Sequence, residues 1–232
     1  MVLADSRFHQ SMEQKPSVMA DILRFLGQLL APSALLLVAM VMAFMARGEA
    51  VPLLGILSFN GMSPDAGSWF TMGHIWIFAL FMLVNLTGRR HGASVATGSL
   101  VLAAVVAAGV WAYATYGAAH VLLPADVIAA LGDQTMVLAI ALSVVVGLLV
   151  DIVVFDLVRG RPWWKAPLMA PLFGGAAFVA LFHGLAGNVL AGPYMDRVVT
   201  HMVLVVAATL LMVLVYHLLR SVIRPRAGYG GA

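Results

Sequence analysis

Asp151 stands in an otherwise uncharged run, Gly147-Leu-Leu-Val-Asp-Ile-Val-Val-Phe155. On a helix, its neighbours three and four positions away are Leu148, Val154, Gly147 and Phe155, and none can neutralise a carboxylate. Such a group must find a donor on another segment, hold a proton, or meet water or a bound molecule. It lies eight residues before Arg159, or ~12 Å along a helix. A structural helix–helix hydrogen bond and a functional role both satisfy this demand. Asn85 is the second candidate, because a neutral amide both donates and accepts. His74, eleven positions earlier, falls three helical turns away on the same face, so the two would line one polar stripe. A lone intramembrane histidine also serves as a hydrogen-bonded packing residue, and His183, His201 and His217 read the same way. No two histidines stand at i, i+3 or i, i+4, so no metal site is assigned. Ser94, Ser99 and Ser143 sit in apolar runs without a Gly-x-Ser-x-Gly elbow. An intramembrane hydrolase would require Ser143 to meet His183 or His201 across helices. With no cysteine, disulfides, thiolate metal sites and cysteine nucleophiles are excluded. Neither enzymatic activity nor a cofactor is expected.

The elements that must position these residues follow from composition. The chain has 232 residues, 62% apolar and 10% charged, with a mean hydropathy of +1.00. Soluble domains carry about 25% charged residues. A soluble enzyme, a disordered chain and a nucleic-acid binder are therefore excluded, and the basic residues form no patch that would grip nucleic acid. Six runs reach the ~20 residues needed to cross hydrocarbon: 29–46, 69–86, 93–116, 136–157, 167–186 and 199–219. Their length and lack of alternation exclude a β-barrel, which leaves helices as the solution that satisfies every backbone group. The fold class is all-α, a bundle of six transmembrane helices preceded by a short amphipathic helix. That helix is read from Val18, Ile22, Phe25 and Leu29 beside Asp21, Arg24 and Gln28. Three regions result: a cytoplasmic segment 1–28, the bundle 29–219 and a cytoplasmic tail 220–232.

Orientation is read from basic residues. With the N-terminus in the cytoplasm, Arg7, Lys15, Arg24, Arg89, Arg90, Arg159, Arg161, Lys165, Arg220, Arg224 and Arg226 all fall inside. Only Arg47 and Arg197 fall outside. A bacterial cytoplasmic membrane with both termini inside is expected. The first 27 residues hold no long apolar core, so no cleavable signal peptide is expected and the first span directs insertion. The stretch 49–68 reads as a Pro/Gly-rich outer loop, 123–133 as one short outer helix, and His120 as a loop residue. Asp156 and Arg159 are spaced as an i, i+3 ion pair. Small residues recur at i+4 in three ridges: Ala104, Ala108, Ala112; Ala139, Ser143, Gly147; and Ala166, Ala170, Gly174. Each is expected to face another helix.

Two stretches resemble the queuosine-precursor transporters, also called vitamin uptake transporters. One is Phe81-Met-Leu-Val-Asn85-Leu-Thr-Gly-Arg89-Arg-His-Gly92, similar to the end of that family's second helix. The other runs from Asp151-Ile-Val-Val-Phe155 through Arg161, Trp163-Trp164, Ala166-Pro167 and Leu172-Phe173-Gly174, similar to its fourth helix, inner loop and fifth helix. About half of the chain is covered. The resemblance implies a six-helix importer of a small planar 7-deazaguanine-type base, working as a secondary transporter. Asn85 stands where the family has Asp, Gly175 and Phe178 where it has polar residues, and His201 where it has an acidic one. Two expectations follow. In the first, Asp151, Asn85 and His74 line a path for a small-molecule substrate, a 7-deazaguanine-type base or a less polar relative of it. In the second, the chain is a non-catalytic accessory subunit that docks other membrane subunits on its Ala/Gly ridges. Membrane lipid is a partner in both, and nucleic acid in neither.

Overall fold

The computed structural model describes residues 18–49, 51, 71–116, 134–187, 190 and 193–225. The chain is an all-α, multi-pass membrane protein with six helices long and apolar enough to span a bilayer. They are α1 (Val18–Met45), α2 (Met72–His91), α3 (Ala93–Tyr116), α4 (Gln134–Val158), α5 (Lys165–Leu185) and α6 (Tyr194–Leu219). A short 3₁₀ turn, Ala46–Gly48, follows α1. The expected loop 52–68, the short helix at 123–133, His120 and the tail beyond 225 lie outside the described residues.

Local chemistry explains the helix ends. The Thr71 N–H at the start of α2 donates to His74 Nδ1 at 3.2 Å. One of the four orphan donors of a helix start is thereby satisfied, and the imidazole is aimed at the same time. At the other end, Gly92 takes φ +88° and donates its N–H to Gly88 O at 2.9 Å. A residue without a Cβ tolerates that φ, so α3 begins one residue after α2 ends. Pro167 is the third residue of α5, where its missing N–H would have had no intrahelical partner. Pro171 lies farther inside α5.

The sequence reading placed an amphipathic helix before the first span. Val18–Gln28 is helical, and it runs without a break into the span as one 28-residue helix. Pro32 lies within it; one missing backbone donor does not end a helix whose other bonds have no competing partner in an apolar setting.

The six helices share a main core that includes Leu36, Phe78, Phe81, Leu100, Leu148 and Phe178. A smaller cluster of Leu86, Phe155, Ala166, Ala170 and Tyr216 closes one end. This is the basic end: Arg89 Nε donates to Ile223 O at 3.1 Å, and Arg159 pairs with Asp156 at 3.2 Å. The closest packing joins α4 and α5. Ala139, Ser143 and Gly147 on α4 and Ala166, Ala170 and Gly174 on α5 are all buried, as their spacing predicted. The α3 ridge departs from expectation. Ala104 is half-buried, while Ala108 and Ala112 are exposed. The buried positions of α3 are instead Val95, Ala96, Ser99, Leu100 and Ala103, with Ala114 near its far end. The reason is geometric: most of the buried positions crowd into the first half of α3, where Gly98 admits the Leu29 side chain of α1.

Candidate functional site

Asp151 and Asn85 meet between α4 and α2. Asn85 Nδ2 donates to Asp151 Oδ1 at 3.3 Å. Asp151 is fully buried and Asn85 only 3% exposed. The partner that Asp151 could not find on its own helix is therefore an amide on another. Close backbone approach makes room for it. A Cβ added to Gly174 would lie 2.6 Å from Gly147 O, 2.8 Å from Asp151 Cβ and 2.8 Å from Phe81 Cε1. Glycine at 174 thus lets α5 cover the carboxylate directly.

One hydrogen bond does not exhaust these groups. Asp151 Oδ2 and Asn85 Oδ1 are both buried with no hydrogen-bond partner among the described residues. Two unpaired acceptor oxygens on neighbouring buried side chains can be completed by a group offering several donors, such as the edge of a heterocycle with ring and exocyclic N–H. A narrow crevice is lined by Asn85 together with Val84, Gly88, Ala96, Ile152 and Phe155. It is too narrow to seat a water molecule, so the site is closed in this conformation.

His74 does not join this pair. It belongs to a second polar cluster about 16 Å away along α2, at 1.5 Å per residue. There its ring lies 5.0 Å from that of His201 and 5.7 Å from that of Phe182, edge to face. His183 Nε2 and His201 Nδ1 are 3.1 Å apart, within hydrogen-bonding distance. All three imidazoles are buried. Between the two clusters α2 contributes Ile77, Phe78, Leu80, Phe81 and Val84 to the core, so the stripe expected from His74 to Asn85 is interrupted by apolar packing. Among the described residues no three His, Asp or Glu side chains have the geometry of a metal site.

No protein-family model, curated protein or solved structure matches the chain. The site therefore rests on its own geometry.

The His183–His201 contact and the setting of Arg197 were not legible from spacing. Arg197 is 3% exposed and donates to Leu190 O and, at 3.3 Å, to Gly187 O. It clasps the connection between α5 and α6 from the first turn of α6. One signal pointed to the histidine pair: both residues lie near the turn joining two antiparallel neighbours, which brings them to similar depth. Ser143, the serine considered as a nucleophile, donates its hydroxyl to Ala139 O at 2.6 Å within its own helix. His217 stands apart from both clusters, its ring 4.8 Å from Trp163 at the basic end.

Proposed function

We propose that this membrane protein is a transporter that takes up a small planar heterocycle of the 7-deazaguanine, queuosine-precursor type, in the manner of the vitamin uptake transporters. The supporting observation is the pair of unsatisfied acceptors, Asp151 Oδ2 and Asn85 Oδ1. A polar group left unpaired in hydrocarbon costs several kcal/mol. A bundle that keeps two of them buried on hydrogen-bonded neighbours, one of which lines a crevice, has a reason to do so if a ligand completes them. Asp151 would accept from a ring N–H and the exocyclic amine, with the Asn85 carbonyl taking a third donor. The closed crevice fits alternating access, in which a midplane site is sealed from one side at a time. The Gly147–Gly174 crossing and Pro171 supply the places where α4 and α5 can part with little steric resistance. The membrane would be the bacterial cytoplasmic one, with the basic end and both termini inside.

The test is uptake of a radiolabelled 7-deazaguanine base into proteoliposomes holding the purified chain. Asp151→Asn keeps the volume, removes the charge, and is expected to lower uptake at least about tenfold, the loss of one charged hydrogen bond worth about 1.5–3 kcal/mol. Unchanged uptake by the variant removes Asp151 from the mechanism; no uptake by the wild-type chain rejects the substrate class.

A second reading is favoured by one observation, the exposure of Ala108 and Ala112 in the later half of α3. Small residues facing away from their own bundle suit close approach by a foreign helix. In that reading the chain is an accessory subunit of a larger membrane complex. Gentle detergent extraction would then recover it with stoichiometric partner subunits, and an isolated chain that transports would refute it.

A further inference from the structure

The basic end carries a feature that neither transport nor docking uses. Trp163, in the connection between α4 and α5, is contacted by His217 in the last turn of α6 and by Arg220 just after it. The Arg220 guanidinium lies 4.2 Å from the centre of its ring, and the His217 ring is 4.8 Å away, tilted by 39°. Arg161 and Lys165 flank the Trp-Trp pair in sequence and are exposed, and Arg224 is exposed one turn beyond Arg220. The ion pairs among the described residues, Arg24–Asp21 and Arg159–Asp156, involve none of these four cations. The sole acid of this connection, Asp156, is already engaged by Arg159. Here, then, is a concentration of positive charge beside an aromatic plate, without an acidic partner among the described residues.

The surface leading away from it has the opposite character. Along α6, Leu210, Leu214 and Leu218 are 59%, 58% and 65% exposed, and Leu214 stands one turn before His217 on the same face. Beyond Leu214, both His217 and Arg220 reach Trp163. The exposed side of α6 therefore passes from apolar side chains through an aromatic contact to a cation within a few turns of helix. That order matches an amphiphile: acyl chains, glycerol region, phosphate.

We infer that the Trp163–Arg220 junction, with Arg161, Lys165 and Arg224 around it, is a binding site for an anionic phospholipid. The phosphodiester is held by Arg220 and its cationic neighbours, and an acyl chain lies along Leu214 and Leu210. Guanidinium pairs with phosphate bidentately, and stacking on indole leaves its outward N–H groups oriented for that purpose. Basic pockets at the ends of transmembrane helices are a recognised solution for lipid headgroups.

The experiment uses the full chain in lipid nanodiscs doped with brominated phosphatidylglycerol or brominated phosphatidylcholine of identical acyl chains, read by quenching of tryptophan fluorescence. The site predicts saturable quenching with an affinity for the anionic lipid well above that for the zwitterionic one. Arg220→Gln and Lys165→Gln should each reduce that preference about fivefold, as expected for one cation near a lipid surface. Arg220→Lys, which keeps the charge, should lose less, and Arg90→Gln, an exposed cation placed on α2, should change nothing. Lys165 is exposed at the helix start, so its variant folds irrespective of the outcome at Arg220. Equal quenching by the two lipids overturns the inference, as does a preference that survives both glutamine variants. Release of the anionic lipid by millimolar inorganic phosphate would show a free-anion site instead, and would also overturn it.

Discussion

Asp151 and Asn85 hold each other in register across α2 and α4, and each has one oxygen to spare. The Asn85→Ala variant removes the donor and leaves the carboxylate with no described partner. Interhelical hydrogen bonds in membranes contribute about 0.6 kcal/mol on average and up to about 1.7. The expected loss of stability is therefore modest, on the order of 1 kcal/mol, measurable as a lowered Tm of the detergent-solubilised chain. If the pair serves binding as well as packing, the same variant should lose far more uptake than stability. That split distinguishes a site from a structural bond. At this scale Asp151 was legible as a residue in need of a partner, since its helix offered none. Asn85 was legible as a candidate in its own right. That the two pair with each other, and that His74 turns to His201 instead, depends on helix rotation, which residue spacing within one helix does not encode.

Helices are where the glycines divide by context. A methyl group at Gly174 would press on Gly147 O, Asp151 Cβ and Phe81 at 2.6–2.8 Å, two of which belong to backbone or to the base of a side chain and cannot swing away. Gly174→Ala should destabilise by about 1–3 kcal/mol and disturb the site, since it pries α5 from the carboxylate. Gly109 has nothing within 4 Å of an added Cβ, so Gly109→Ala should be neutral or raise stability by up to about 1 kcal/mol. Thermal unfolding of the two variants in the same detergent measures the contrast. Spacing of small residues told which helices can be approached closely. It was right for α4 and α5, whose ridges meet, and wrong for the later half of α3, whose ridge faces outward. A ridge states that an approach is permitted; the neighbours decide whether it is made.

For the whole molecule, six passes bring the start of α1 and the end of α6 to the same end of the bundle, together with Arg89, Arg159, Arg161, Lys165, Arg220 and Arg224. The proposed orientation puts that end in the cytoplasm, following the bias of basic residues. Because the chain has no cysteine, single-cysteine variants report on topology without background. Glu49→Cys should react with an impermeant maleimide in intact cells, and Ser221→Cys only after the membrane is opened. The reverse pattern would place the basic end outside and exclude the proposed direction of uptake.

The amino-acid order by itself determined that this chain is a six-helix membrane protein and that Asp151 must be satisfied from elsewhere. Both follow from short-range physics: hydrocarbon compels each segment to satisfy its own backbone, and a run of about 20 apolar residues spans the slab whatever surrounds it. Tertiary structure alone decided that Asn85 is the donor, that His74, His183 and His201 gather in a separate cluster, that the crevice is shut, and that Trp163 meets both His217 and Arg220. These depend on the depth and rotation of each helix relative to the others. Close contacts such as the Leu29 side chain against Gly98, and the backbones of Gly147 and Gly174 against each other, set those two quantities across the bundle, and no single segment contains them.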